Sequence, residues 1–150
     1  MIRMADELEE LTLIHLWRAM RAMSHRLDRR LAELRLRTRE FGLLLLLRQG
    51  GRLSQRALGQ AMNVDRSTMV ACLDRLEAAG YVRRRAHPAD RRVNWVAMTA
   101  AGRGALRRAV TAAGELEQGL WADGGAARRA LVVAELRRLA AAAGGAEAKR

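Results

Sequence analysis

Apolar positions recur with a helical period through most of this 150-residue chain and switch to partial alternation in one short stretch. Leu13, Leu16, Trp17, Met20, Met23, Leu27, Leu31 and Leu34 fall one, three and four residues apart. They predict a first helix from near Ala5 to beyond Leu31, with an apolar stripe longer than one small core needs. A weaker pattern near the other end joins Leu106, Val110, Ala113, Leu116 and Leu120, then Leu131, Leu136 and Leu139. Asp123-Gly124-Gly125 separates these into two helices.

Between the ends the punctuation is denser. Thr38 is read as the N-cap of a helix over Arg39 to Arg48, ended by Gly50-Gly51, with a brief extended segment at Arg52-Leu53. Ser54 caps a further helix that turns Leu58 and Met62 inward, and Gly59 within it suggests a close helix–helix approach. Asn63 suits the left-handed turn that follows. Asp65 or Arg66 opens the next helix, where Met69, Cys72, Leu73 and Leu76 make a buried face and Gly80 is the stop. Tyr81 to Arg85 and Val93 to Met98 read as strands, with Val82 and Trp95 inward, and Thr99 caps the helix after them, with Gly102 nearby. Helix, turn, longer helix and two strands in this order predict a mainly α protein with a small β-hairpin wing. The expected arrangement is a winged helix-turn-helix at 37–99, flanked by N- and C-terminal dimerisation helices at 1–36 and 100–143. Residues 144–150 are read as a disordered tail.

Composition narrows the function. Half the residues are hydrophobic and only one is Pro, which fits a folded, mostly helical unit. Leu43 to Leu47 is too short to span a bilayer, and the opening MIRMADELEE is acidic rather than signal-like, so a cytoplasmic location is expected. Cys72 is the single cysteine, and on an apolar seam it reads as a small core residue. His15, His25 and His87 are scattered, and no phosphate loop, nucleophile elbow or metalloprotease motif occurs. Neither a metal, a cofactor nor an enzymatic activity is expected.

Charge points the other way, toward a partner. The formal net charge is +12, from 28 basic residues of which one is Lys. Coding bias explains Arg in place of Lys but not the crowding of Arg83, Arg84, Arg85, Arg91 and Arg92 into one hairpin. Clustering of this kind marks a nucleic-acid surface. The face of the second helix opposite its core offers Arg66, Ser67, Thr68, Val70, Ala71 and Asp74, whose first turn would enter the major groove. The residues read as contacting duplex DNA are Ser54, Gln55, Arg56, Arg66, Ser67, Thr68, Val70, Ala71, Arg75, Arg84, His87, Arg91 and Arg92.

The stretch LSQRALGQAMNVDRSTMVACLDRLEAAGYVRRRAHPADRRVNWVAMTAAG, Leu53 to Gly102, resembles the multiple antibiotic resistance regulator (MarR) family of winged helix-turn-helix transcription factors. DRST at the start of the recognition helix, LDRLEAAGYVRR and the DRR wing carry the likeness together. The resemblance implies a homodimer that binds a pseudo-palindromic operator, most often as a repressor, and lets go when a small aromatic or anionic effector acts. It also implies that Arg92 is the wing arginine of the minor groove and Asp90 its structural partner. Effectors of that family sit between the dimer helices and the winged domain, which makes His15, Trp17, Met20 and Phe41 the candidates to line a pocket. Val70 and Ala71 depart from relatives that carry a polar and then a basic residue there, shifting base reading toward Arg66, Ser67 and Thr68. The competing readings are a non-specific architectural DNA-binding protein and a winged-helix module for protein contacts.

Overall fold

The computed structural model describes residues 10–86, 94–122 and 125–147. Helix α1 (Thr12–Leu31) leads through a 3-10 turn (Ala32–Leu34) to α2 (Thr38–Gly50). Strand β1 (Arg52–Ser54), helices α3 (Gln55–Ala61) and α4 (Arg66–Ala78), and strands β2 (Val82–Ala86) and β3 (Asn94–Met98) follow. Helices α5 (Ala100–Leu120) and α6 (Gly125–Glu147) complete the described chain. It divides into two compact units, residues 1–113 and 114–150.

Among the described residues helix α1 starts at Thr12, with Leu11 extended at φ −81°, ψ 112°, and the expected start near Ala5 lies outside them. Thr38 does not cap α2. Arg37 holds that position, and Glu40 reaches back to accept its N–H at 3.0 Å, the return half of a capping box. The Thr38 N–H and hydroxyl donate instead to Asp28 on α1 at 2.6 and 2.7 Å, tying two helices together. Ser54 does cap α3, accepting from the Ala57 N–H at 3.1 Å. Asn63 takes the left-handed conformation at φ 47°. A β-carbon on Gly59 would meet only the Val64 carbonyl at 3.5 Å, so no close helix approach requires that glycine.

The sheet has three antiparallel strands in the order β1-β3-β2, one more than a hairpin. The Arg52-Leu53 segment becomes an edge strand because Leu53 pairs with Val96 and turns inward beside it. On β3 the inward residue is Val96, fully buried, and Trp95 as its neighbour must face the other way. Trp95 is therefore half-buried on the outer face, contrary to the sequence expectation, whereas Val82 is buried as expected.

The core of the first unit gathers Leu31, Leu36, Leu43, Leu44 and Leu47 against Leu58 and the α4 face Met69, Cys72, Leu73 and Leu76. Ala105, Leu106 and Ala109 of α5 close it, while Val110 stays exposed. One charge is buried among the described residues: Glu40, 1 % exposed. Its Oε1 accepts from Arg75 Nε at 2.8 Å and Nη2 at 2.5 Å, while Oε2 takes the Arg37 N–H. This bolts α4 to the start of α2.

At the other end of α4 the chain stops in a Schellman turn. The Tyr81 N–H bonds Leu76 O and the Gly80 N–H bonds Glu77 O, with Gly80 at φ +73°. Thr99 then caps α5, accepting from the Gly102 N–H at 3.0 Å and donating to Gly80 O at 2.7 Å. A β-carbon on Gly102 would lie 2.0 Å from Tyr81 O, so only glycine fits.

In the second unit, Gly125 turns the chain at φ +63°, and Arg129 donates to Glu117 at 2.8 Å. Leu131, Val132, Leu136 and Leu139 of α6 are exposed. Helix α6 continues through Glu147, four residues into the segment expected as a tail, as its alanine run favours.

Two contrasts follow for urea denaturation. Gly102→Ala should destabilise by about 1–3 kcal/mol or more through overpacking. Gly114→Ala, where nothing lies within 4 Å of the added carbon, should stabilise by about 0.5–1 kcal/mol. Arg75→Ala, which leaves the Glu40 carboxylate buried without its cation, should cost about 3 kcal/mol. Equal stability of Arg75→Ala and the parent would show that the bolt is not structural.

Candidate nucleic-acid interface

The exposed face of α4 is built by its first turn. Asp65 caps the helix: Oδ1 accepts the Thr68 N–H at 2.8 Å and the Ser67 hydroxyl at 2.5 Å, and Oδ2 accepts the Thr68 hydroxyl at 2.6 Å. These hydrogen bonds, the Ser67 and Thr68 hydroxyls foremost, hold the Asp65 carboxyl well below the usual carboxylate range. Both hydroxyl protons are thus directed inward to Asp65. Their lone pairs remain outward, and Arg66 is left as the exposed donor of that turn.

Beside it lies the start of α3. A cleft lined by Ser54, Gln55, Arg56, Arg66 and Asn94 brings the α3 N-terminus, the α4 N-terminus and the wing-side end of β3 together. Arg56 and Arg66 are exposed there, and Val70 and Ala71 sit one turn further along α4, half-buried and exposed. Among the expected contacts, Ser54, Gln55, Arg56 and Arg66 line this one cleft, and Ser67, Thr68, Val70 and Ala71 follow Arg66 along α4.

Arg75 and Arg84 take other partners. Arg75 grips Glu40, a residue 35 positions away, and its Nη2 also lies 3.3 Å from Cys72 Sγ. Arg84 Nη2 donates to Asp74, and the Arg84 N–H bonds Glu77 Oε1 at 3.1 Å, so the strand β2 is clasped to α4. Both arginines hold α4 in place. The spacing of α4 gives no sign of Glu40. The sign lies in α2, where a glutamate stands three residues after Arg37, at the position of a back-reaching cap.

Cys72 is fully buried, and burial, followed by the nearby Glu40 charge, pushes its thiol up. A protonated thiol packed under a helix is inert. His87, Asp90, Arg91 and Arg92 lie outside the described residues. Of the four pocket candidates, Phe41 packs against the core, His15 is exposed, and Trp17 and Met20 are 50 % and 62 % exposed. The Trp17 ring is covered on one face by the Arg21 guanidinium at 5.3 Å. Among the described residues no group of His, Cys, Asp and Glu could hold a metal, and no helix is long and apolar enough to cross a membrane.

The Asp65 cap has a pH signature. Its folded pKa is lowered, so its stabilisation is complete above the ordinary value of 3.8 and is lost as acid approaches the lowered value. The difference in melting temperature between the parent and Asp65→Ala should be constant from pH 7 to about 5 and shrink below about 4. A difference that grows in acid would contradict the cap.

Comparison with known proteins gives the same assembly a lineage. The sequence profile of the MarR family matches residues 36–93. Over 99 residues the chain is 36 % identical to a protein of Thauera aromatica described as a putative transcriptional regulatory protein for the hcr operon, spanning 66 % of this chain and 60 % of that protein's length. The structure of the transcriptional repressor CouR bound to a 23-mer DNA duplex superposes with TM-score 0.83 at 30 % identity, covering 89 % of this chain and 95 % of CouR. CouR bound to p-coumaroyl-CoA gives 0.79 at 27 %, covering 89 % and 94 %. A crystal structure of MarR gives 0.85 at 25 %, covering 94 % and 97 %. With these matches running through the helix-turn-helix, the wing and the terminal helices, the chain belongs to the MarR family.

Proposed function

We propose that this chain is a sequence-specific, DNA-binding transcriptional regulator that acts as a homodimeric repressor and is released by a small-molecule effector. The observation that carries the reading is the first turn of α4, exposed, capped by Asp65 and led by Arg66, which has no ion-pair partner among the described residues. Such a turn fits the major groove, where the Arg66 fork can bond a guanine edge and Val70 or Ala71 can meet a thymine methyl. Ser54, Gln55 and Arg56 at the start of α3 would meet backbone phosphates, the contacts that set register. His87, Arg91 and Arg92 would follow the neighbouring minor groove, with Asp90 shaping the wing. The likeness to CouR, which has been solved on a DNA duplex and with p-coumaroyl-CoA, supports both halves of the proposal.

A second copy has a surface to meet. Leu13, Trp17 and Met20 on α1 and Leu131, Val132, Leu136 and Leu139 on α6 are exposed. Apolar residues presented in rows along helices mark an interface. Two copies would read two half-sites about one helical turn apart. Closing a pocket around His15, Trp17, Met20 and Phe41 would need that second copy.

The test is selection of duplexes from a random pool, followed by gel shifts of the recovered site against excess random DNA. An inverted repeat that survives competition at moderate salt is expected. Binding erased by random duplex would favour the architectural reading, and no binding to any duplex the protein-contact reading. On the selected site, Arg66→Ala should cost roughly 1–3 kcal/mol and relax base preference, while Arg92→Ala should weaken all duplexes alike. Parent-like binding by both variants would overturn the docking.

A further inference from the structure

We infer that the corner joining α1 to α2 is a second phosphate-binding surface, one that grips the backbone of the duplex read by α4. Six of the fourteen residues from Arg26 to Arg39 are arginine, and all six are exposed. The acids in and beside that stretch offer little in return. Asp28 is taken by the Thr38 N–H and hydroxyl, and Glu40 by Arg75, which leaves Glu33. Among the described residues no carboxylate pairs with the side chains of Arg26, Arg29, Arg35, Arg37 or Arg39.

Where these arginines stand matters more than how many there are. Arg29 and Arg30 fall in the last turn of α1, where a cation complements the helix dipole, so they suit the fold. The next three do the opposite. Arg35 is left-handed at φ 51°, ψ 34°, a conformation unfavourable to most residues with a β-carbon and filled elsewhere by Asn63 and Gly80. Arg37 occupies the N-cap of α2, a place for short polar side chains, and Ser54, Asp65 and Thr99 do cap three other helices. Arg39 adds a further cation at the positive end of α2. An arginine-rich composition spares the caps and turns elsewhere, yet positions 35, 37 and 39 each carry a residue ill suited to them. Local stability is given up for outward charge, as at functional surfaces.

The corner is also held at a set distance from the reading turn. Glu40, one residue past Arg39, is bonded to Arg75, and Arg75 stands nine residues along α4 from Arg66. At 1.5 Å per residue that is about 14 Å, close to the roughly 12 Å width of the major groove. A duplex whose groove receives Arg66 therefore brings a bordering strand of phosphates to the corner. Contacts of this kind hold the duplex without reading it, and each one releases counterions. The inference rests on the regulator reading, to which it adds contacts outside α3, α4 and the wing.

The test is fluorescence anisotropy of the selected duplex and of a random one with the full chain, from about 50 to 200 mM salt. Arg35→Gly/Arg37→Ser/Arg39→Gln should bind both duplexes about tenfold or more weaker, with a log–log salt slope shallower by about 3. It should keep the parent's preference for the selected site. Its melting temperature should match or exceed the parent's, because glycine suits the left-handed turn and serine three residues before Glu40 completes a capping box. Lysine at the same three positions should keep the slope. A slope unchanged by the first variant, a slope that lysine does not keep, a fall in the first variant's melting temperature or a loss confined to the selected site would overturn the surface. A parent that binds no duplex removes the regulator reading itself; a parent matched by the variant removes this surface alone.

Discussion

One buried carboxylate organises the first unit. Glu40 is enclosed by a helix of leucines, an environment in which an unpaired charge is strongly unfavourable. Its oxygens are answered by the Arg37 N–H at the head of α2 and by two nitrogens of Arg75 on α4. That arrangement fixes more than a distance. A helix turns by about 100° per residue, so α4 cannot slip by one position without carrying Arg75 away from its only compensation. Arg66 stands nine residues earlier, about two and a half turns, and leaves the helix on the other side of the buried stripe. Holding Arg75 thus decides which way Arg66 points. Hydrophobic packing of Met69, Cys72, Leu73 and Leu76 supplies most of the adhesion, and the ion pair supplies the angle.

The arginines sort into two populations by the same logic. Some are internal fasteners, at Arg75 and Arg84, where a carboxylate is brought to them by folding. Others, Arg56 and Arg66 among them, stand exposed at helix starts with no counter-charge among the described residues. Net charge reports the sum of both and so says little about where a polyanion settles. Only the second population is available to one.

Legibility in the sequence followed the range of each interaction. Ser54, Asn63, Asp65, Gly80 and Thr99 act within a few residues of themselves, and their roles could be read directly. The apolar face of α4 was equally plain, since its period is set by the helix alone. Long-range pairings were not. Thr38 looked like a cap, yet Asp28 of another helix claims it. Trp95 was expected to face inward, yet the strand's period of two gives that place to Val96. Gly59 seemed the close-packed glycine, while Gly102, pressed on Tyr81 O, is the one that geometry demands. The division of arginines was hidden for the same reason, because their carboxylate partners come from other elements.

The contact of Gly102 with Tyr81 has a mechanical consequence. Thr99 bonds backward to Gly80 and forward to Gly102, and the helix axis passes too close to the strand for any side chain to intervene. The root of the wing and the first turn of α5 therefore behave as a rigid elbow. The two bonds and the close contact resist bending at that corner. If the reading heads of a two-copy assembly change their spacing, the flexing must occur elsewhere, and the elbow converts it into displacement of the wing.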